Sequence, residues 1–250
     1  MPRLICLLIV LFAWLPAPAP GQPHILESGP GQARLLELYT SEGCSSCPPA
    51  DAWLSQFKND EGLWSQFIPV AFHVDYWDRL GWPDPFAQAR FSQRQRDYAK
   101  ILGRRSIYTP GFVLDGRQWR GWFNGEPLMP SIAKPLGPLR LSLNDSTGTA
   151  TFAAPDLPAD LLLHLVVMGC DLRTEVKRGE NRGRSLGHDF VALGYDQWPL
   201  TLRDGQYHAE GPLPTAEQPT QALAAWVSRT DRPGPLQALG GWLPPERQAP

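Results

Sequence analysis

The sequence predicts an α/β domain in the first half of the chain and a β-rich, antiparallel domain in the second. In the first half, continuous apolar runs typical of buried strands alternate with helical patterns. A Cys-x-x-Cys (CxxC) motif, Cys44-Ser45-Ser46-Cys47, stands where one such run ends and a helix begins. From Leu139 onward, short β-type runs separated by turn residues predict a small antiparallel sandwich.

The first predicted elements surround the CxxC motif. The apolar run Leu35–Tyr39 predicts a strand, and Pro48 and Pro49 suit the first turn of a helix, where a missing N–H costs little. An apolar face with helical spacing follows, formed by Ala50, Trp53, Leu54 and Phe57. The CxxC motif is therefore expected at the N-terminus of this helix.

Three further elements complete the predicted α/β domain. A second apolar run, from Ile68 to Trp77, predicts a strand covered on both faces. A helix with Asp84 as its N-cap is expected to end before Gly103. Asp115-Gly116 then predicts a tight hairpin, because this dipeptide favours the required turn.

The position of the CxxC motif predicts thiol chemistry. Unpaired N–H groups and the positive end of a helix dipole favour a thiolate, so Cys44 is predicted to be the exposed attacking thiol. Cys47, one turn later, would resolve a mixed disulfide. A structural disulfide and half of a metal site remain alternatives. No compact metal site is expected, because the other candidate ligands are scattered singly, namely Cys170, His73, His164, His188 and His208.

The beginning of the chain predicts export. Arg3 precedes an apolar stretch from Leu4 to Leu15, and the small residues Ala19-Pro20-Gly21 follow, which is typical of a cleaved signal peptide covering residues 1–21. We therefore expect an exported protein, either periplasmic or secreted. The apolar stretch is too short to span a bilayer, so no membrane span is expected after cleavage. Residues 22–32 are predicted to be a flexible leader and residues 244–250 a disordered tail.

Composition excludes some classes of partner. The 250 residues carry a net charge of −2, which gives no bulk attraction to nucleic acid or anionic membranes. Hydrophobic residues make up 42% of the chain and charged residues 19%, as in globular proteins. Stability is expected to come from apolar cores, because the chain holds too few cysteines for a disulfide-stapled mini-domain.

The order strand, CxxC helix, strand, helix, X-Pro and hairpin resembles the thioredoxin fold. This resemblance implies a thioredoxin-like domain over residues 33–137, followed by the β-rich domain over residues 138–243. It also implies that Thr109-Pro110 is a cis peptide bond, that Pro110 shapes a substrate groove beside the CxxC motif, and that Thr109 helps to bind substrate. Several blocks resemble those of the DUF1223 family of exported bacterial proteins: Glu37–Asp51, His73–Trp82, Asp84–Phe86, Tyr108–Pro110 and Gly179–His188.

Glu37 precedes the CxxC motif, where thioredoxins carry a buried acid that shuttles a proton to the second cysteine. The resemblance therefore implies a catalytic role, although the spacing here is about one residue longer. The alternative is a hydrogen-bonded carboxylate at the end of a strand.

His73 and Asp75 alternate with apolar residues, so both are expected on one face of their strand. They could polarise the site, or form a hydrogen-bonded core pair that supports the following loop. Trp77 and Trp82 either line a peptide groove or are core aromatics.

A charged segment, Arg173–Arg184, interrupts the β-rich half. It is either a solvated loop or a structured loop docked on the first half, because Gly179 and Gly183 allow tight turns. We predict docking near the loop from Trp77 to Asp84, with Glu180 and Arg182 as supporting residues. Cys170 is expected to be a buried, inert thiol.

These observations predict an exported thiol-disulfide oxidoreductase, an enzyme that needs no dissolved cofactor. Its partners would be a protein thiol or disulfide substrate and a redox partner protein. Two alternatives remain open. One is a periplasmic Cu(I) metallochaperone that holds the ion with Cys44 and Cys47, with His73 as a further ligand. The other is a noncatalytic adaptor with a structural disulfide.

Overall fold

The structure, a computed structural model, describes residues 23–155, 157 and 160–244. The predicted signal peptide, residues 1–21, and the tail beyond Pro244 lie outside the described residues. Its helices are α1 (Pro48–Ser55), α2 (Ala89–Ile101) and α3 (Gly121–Asn124), with 3₁₀ helices at Gln56–Asn59 and Asp75–Leu80. Its strands are β1 (His24–Glu27), β2 (Arg34–Thr40), β3 (Phe67–His73), β4 (Gly111–Leu114), β5 (Arg117–Trp119), β6 (Leu139–Leu143), β7 (Thr147–Phe152), β8 (Leu161–Gly169), β9 (Leu172–Glu175), β10 (Ser185–His188), β11 (Val191–Arg203), β12 (Gln206–Pro212), β13 (Ala222–Arg229) and β14 (Arg232–Trp242).

Twelve of these strands form one mixed sheet. One path through it runs β1-β6-β7-β12-β11-β3-β2-β4-β5, and β8, β13 and β14 continue from β11. The pairs β2–β3 and β3–β11 are parallel, whereas β4 and β8 pair antiparallel with β2 and β11. Strands β9 and β10 form a separate two-stranded sheet.

The predicted fold class is therefore wrong. We expected an α/β thioredoxin-like domain followed by an independent antiparallel sandwich, but strands from both halves share the twelve-stranded sheet. The reason is the long strand β11, which pairs in parallel with β3 at Val191 and Ala71 and antiparallel with β8 along most of its length. A domain boundary between residues 137 and 138 stays a prediction.

The shared sheet has a core on each face. Along β8, Val166 and Met168 pack into one core with strands of the first half, whereas Leu163 and Leu165 pack into a second core with β6 and β7. Strand β13 alternates in the same way, with Trp226 in the first of these cores. Because successive side chains point to opposite faces, a strand buried on both faces reads as a continuous apolar run.

Several predicted elements are present, and two differ. Helix α1 begins at Pro48, Asp115-Gly116 turns the hairpin between β4 and β5, and Gly103 follows α2 with φ +64°. However, α2 begins after Gln88, because the Asp84 carboxylate accepts a hydrogen bond from the Phe86 N–H in a separate turn. Within the predicted flexible leader, β1 pairs antiparallel with β6. No helix among the described residues is long and apolar enough to cross a membrane.

Candidate functional site

The two cysteines of the CxxC motif form a disulfide with a Cα–Cα distance of 5.4 Å. Cys47 is the N-cap of α1, and its carbonyl oxygen accepts hydrogen bonds from the N–H groups of Ala50 and Asp51 at 2.8 and 3.1 Å. The helix N-terminus therefore lies at Cys47, and Cys44 precedes it by three residues. The sequence analysis predicted Cys44, and not Cys47, at the helix N-terminus.

Both cysteines are fully buried, whereas Ser45 and Ser46 between them are exposed. The Ser46 hydroxyl lies 3.3 Å from the Cys44 sulfur. The prediction that Cys44 is exposed is wrong for this disulfide form, in which a segment from the second half of the chain packs on the CxxC loop. A reacting thiol can reach either buried sulfur only after a local movement.

The covering segment is the arm, which we define as residues 172–188: β9, the loop 176–184 and β10. Its loop turns at Gly179 and Gly183, with φ of +73° and +81°, and is closed by a 2.8 Å hydrogen bond from the Gly183 N–H to the Val176 carbonyl. Gly179 also lies against Trp82: a Cβ atom added at Gly179 would be only 3.1 Å from the Trp82 Cβ. The prediction that this charged segment docks is confirmed.

Asn181 is the buried centre of the contact between the arm and the CxxC loop. Its side-chain amide donates hydrogen bonds to the carbonyl oxygens of Glu42 and Cys44 at 2.8 and 2.9 Å, and its own oxygen accepts one from Arg184. Glu180 accepts a 3.0 Å hydrogen bond from the Ser45 N–H at the surface. Of the two supporting residues predicted within the arm, Glu180 thus contacts the loop, whereas Arg182 is exposed to solvent.

A buried polar cluster lies behind the disulfide. His73 Nδ1 is 2.7 Å from the Asp84 carboxylate, and His188 Nε2 is 3.0 Å from that of Glu42. Asp51, on the first turn of α1, completes the cluster and accepts a hydrogen bond from the Thr40 hydroxyl.

The predicted pair of His73 and Asp75 does not form. Asp75 lies beyond the end of β3, in a 3₁₀ helix, where its backbone N–H and its carboxylate both bond the Ser92 hydroxyl. The alternation expected of a strand therefore stops at His73, whose carboxylate partner comes from a more distant loop.

The carboxylates of this cluster are perturbed in different directions. Burial opposes ionisation of Asp84, yet the charge of His73 and hydrogen bonds from His73 and two backbone N–H groups hold its pKa below the usual value. Burial raises the pKa of Asp51, because fewer groups offset its desolvation.

A cleft of about 390 Å³ opens beside the exposed Ser46 of the CxxC loop. It is lined by Ser46, Tyr108, Thr109, Pro110, Arg120, Trp122 and Phe123. The Thr109-Pro110 bond is cis, as predicted. The Trp77 indole N–H donates a 2.8 Å hydrogen bond to the Thr109 hydroxyl. Trp82 instead donates to Glu42 at 2.8 Å and packs against the arm.

Glu37 lies in a different environment from the one the resemblance implied. Its buried carboxylate pairs with the Arg94 guanidinium at 2.8 Å and accepts hydrogen bonds from the Tyr39 and Tyr98 hydroxyls. Arg94 also lies over the Trp226 ring at 5.0 Å, which joins α2 to the second half of the chain. These contacts support packing, and the proposed proton transfer by Glu37 stays a prediction.

Cys170 is buried at the end of β8. Burial raises the pKa of its thiol to about 12, although its sulfur accepts a 3.4 Å hydrogen bond from the Phe190 N–H. This environment disfavours the reactive thiolate.

The sequence analysis predicted no role in this cluster for five of its residues, although it named His188 as a scattered candidate ligand and Asp84 as an N-cap: Glu42, Asp51, Asp84, Asn181 and His188. Their common signal is position, because all five fall within the blocks that resemble the DUF1223 family. Local periodicity could not identify them, since each contributes a polar contact to a residue distant in the chain.

The structure is similar to two solved structures at low sequence identity. The crystal structure of protein AGR_C_4864 from Agrobacterium tumefaciens matches 84% of this chain and 94% of its own, with 21% identity and a TM-score of 0.62. HBP35 of Porphyromonas gingivalis matches 86% of this chain and 76% of its own, with 15% identity and a TM-score of 0.59. At these identities the similarity concerns the fold alone.

No curated protein matches the sequence at a significant level. The model of a protein family of unknown function, DUF1223, matches residues 35–228, which include the CxxC motif, the cis proline and the arm. The chain therefore belongs to the DUF1223 family.

Proposed function

We propose that this protein is an exported thiol-disulfide oxidoreductase that uses the Cys44–Cys47 pair. The observation that carries the proposal is the position of the disulfide. It closes a two-residue loop in which the exposed Ser46 lines the 390 Å³ cleft together with Thr109 and Pro110. An extended protein segment in this cleft would lie next to the disulfide. Export is proposed from the pattern of Arg3 and the apolar stretch that follows it.

The exchange needs only thiols and disulfides. A substrate thiolate attacks one sulfur of the pair, forming a mixed disulfide and releasing the other sulfur as a thiolate. A second substrate thiolate then attacks the mixed disulfide, so the substrate is oxidised and both cysteines are reduced. The reverse sequence, with Cys44 as nucleophile and Cys47 as resolving thiol, reduces a substrate disulfide. A redox partner protein regenerates the pair in either direction.

The residues around the pair have separate roles in this proposal. Pro110 and Thr109 line the cleft that receives substrate, and Trp77 fixes the Thr109 hydroxyl. Asn181 and Glu180 hold the CxxC loop closed. Access to the sulfurs then depends on release of the arm, which makes exchange selective for partners that can displace it.

The second candidate is a noncatalytic protein with a structural disulfide, and one observation favours it. Both sulfurs are fully buried in the disulfide form, which slows attack by any external thiol. In this case the pair would tie the CxxC loop to α1.

The reduction potential separates the two candidates. The oxidised protein is equilibrated with dithiothreitol or glutathione redox buffers, and free thiols are counted by alkylation and mass spectrometry. A redox-active pair is expected between about −120 and −270 mV, whereas a structural disulfide lies below about −300 mV. Turnover of a dithiol peptide provides the second measurement. Cys44→Ser should abolish turnover, and Cys170→Ser should leave it unchanged. A potential below about −300 mV, together with absent turnover, would contradict the proposal.

A further inference from the structure

Three buried side chains behind the disulfide converge on one point. One ligand atom each from Asp51, His73 and His188 lies within 4.8 Å of the other two, and all three residues are at least nine-tenths buried. We propose that these residues bind a zinc ion. The proposal is independent of redox activity at Cys44 and Cys47.

The hydrogen bonds of the two histidines fix their orientation. Because a carboxylate accepts hydrogen bonds, His73 Nδ1 carries the proton shared with Asp84, and His188 Nε2 carries the one shared with Glu42. A metal ion binds only neutral rings, and in neutral rings lone pairs remain on His73 Nε2 and His188 Nδ1. Histidines that ligate metals have the same arrangement, in which the second nitrogen donates to a carboxylate.

The two remaining nitrogens lack a hydrogen-bond partner among the described residues. His73 Nε2 and His188 Nδ1 are both buried, and the ring centroids of the two residues are 5.0 Å apart. Leaving a buried polar atom unpaired costs about 1–3 kcal/mol. A cation between the two nitrogens and Asp51 would satisfy both atoms at once.

Charge also favours a cation. Among the described residues, Glu42 pairs with His188 and Asp84 pairs with His73. Neither carboxylate pairs with a lysine or an arginine in this part of the chain. With Asp51, the cluster brings three buried acids together. A divalent ion offsets two negative charges without needing a basic side chain.

The donor set selects the class of ion. Two imidazoles and one carboxylate suit Zn²⁺, whereas Mg²⁺ and Ca²⁺ prefer oxygen ligands and Cu(I) prefers sulfur. Bonds of about 2.0–2.1 Å to a tetrahedral ion require donor atoms about 3.4 Å apart. The donor atoms must therefore close by about 1.4 Å or less from the observed spacing. An exchangeable ligand would complete the tetrahedron.

Such a site would join three elements of the fold. Asp51 belongs to α1, His73 ends β3, and His188 ends β10 in the arm. A bound ion would therefore tie the arm to α1, whose N-cap is Cys47. Metal binding should stabilise the native state, because the unfolded chain does not preserve the site.

The test uses the oxidised, metal-free, full-length mature protein. Zn²⁺ titration by calorimetry should give one ion per chain, and the thermal midpoint should rise with Zn²⁺ concentration. Co²⁺ should give the intense visible absorption of a tetrahedral site with nitrogen and oxygen ligands, without a thiolate charge-transfer band. Absence of Zn²⁺ binding by the wild-type protein overturns the proposal, whatever the variants do.

Variants then locate the ion. His188→Ala and Asp51→Asn should lose the Co²⁺ absorption, whereas Glu42→Gln, beside a ligand, should weaken affinity about 10- to 100-fold. His208→Ala on β12 is the matched control and should bind as the wild type does. A Cys44→Ser, Cys47→Ser variant should also retain the ion. Loss of binding in this cysteine variant, or unchanged binding in His188→Ala, would place the metal elsewhere and overturn the assignment. If ligand variants fail to fold, the wild-type Co²⁺ spectrum and the cysteine variant still decide.

Discussion

Replacing Asn181 should open the cover of the disulfide. Its amide donates two buried hydrogen bonds, to the carbonyl oxygens of Glu42 and Cys44. Each contributes about 0.5–1.5 kcal/mol, so Asn181→Ala should destabilise the closed arm by about 1–3 kcal/mol. That energy corresponds to an increase of about 5- to 150-fold in the population of the open form.

The assay is reduction of the oxidised protein by dithiothreitol at several concentrations, quenched by alkylation and followed by mass. When the arm closes faster than the reductant attacks, the rate follows the open population, so Asn181→Ala should be reduced about 5- to 150-fold faster. Asn181→Asp keeps the shape and removes both donors, and should be reduced at least as fast. Arg182→Ala, in the same loop but exposed, is the matched control and should change the rate less than about twofold.

The reasoning would be refuted if both Asn181 variants kept a wild-type thermal midpoint and a wild-type rate of reduction. It would also be refuted if Arg182→Ala accelerated reduction as much as Asn181→Ala. If the faster reduction of a variant is fully explained by its increased rate of global unfolding, the effect is due to lower overall stability and not to opening of the arm.

Three further predictions concern stability and thiol reactivity. Arg94→Met should lower the free energy of unfolding by about 3–5 kcal/mol in chemical denaturation, because it leaves the buried Glu37 carboxylate without its cation. By contrast, Lys58→Met should cost about 1 kcal/mol or less, because Lys58 pairs with Asp171 and Asp189 near the surface; a loss as large as that of Arg94→Met would contradict this. Cys170, whose pKa is raised to about 12, should resist iodoacetamide at pH 8 in the folded protein and react in denaturant. Because its folded pKa exceeds the unfolded value of about 8.5, its contribution to stability is complete below that pH and is lost as pH rises further.

Local sequence patterns predicted the elements near the CxxC motif well. The prolines correctly predicted where α1 begins. Asp115-Gly116 correctly predicted a hairpin turn, in which the two residues have positive φ of +49° and +77°. These signals act within a few residues of the chain, so a sequence reports them directly. The start of α2 was predicted wrongly because the carboxylate of Asp84, a typical N-cap residue, instead accepts hydrogen bonds from His73 and from the Phe86 N–H of a local turn.

Pairing between distant strands could not be predicted in this way. The apolar run of β8 indicated a strand of a small sandwich, but it did not indicate which strands would cover or extend it. Likewise, Arg94 looked like an ordinary polar position on a helix. Its partner Glu37 and the ring of Trp226 are 57 and 132 residues away in the chain, respectively.

The error in fold class and the missed polar cluster have one cause. Strand β11 begins at Val191, opposite Ala71 of β3, and the Ala71 N–H donates a 2.8 Å hydrogen bond to the Phe190 carbonyl. Ala71 lies two residues before His73, and Phe190 lies two residues after His188. The junction of β3 with β11 is thus close in the chain to both histidines, whose ring centroids are 5.0 Å apart. A fold of two independent domains would not have joined β3 to β11, so the prediction of separate domains hid both the shared sheet and the proximity of His73 and His188.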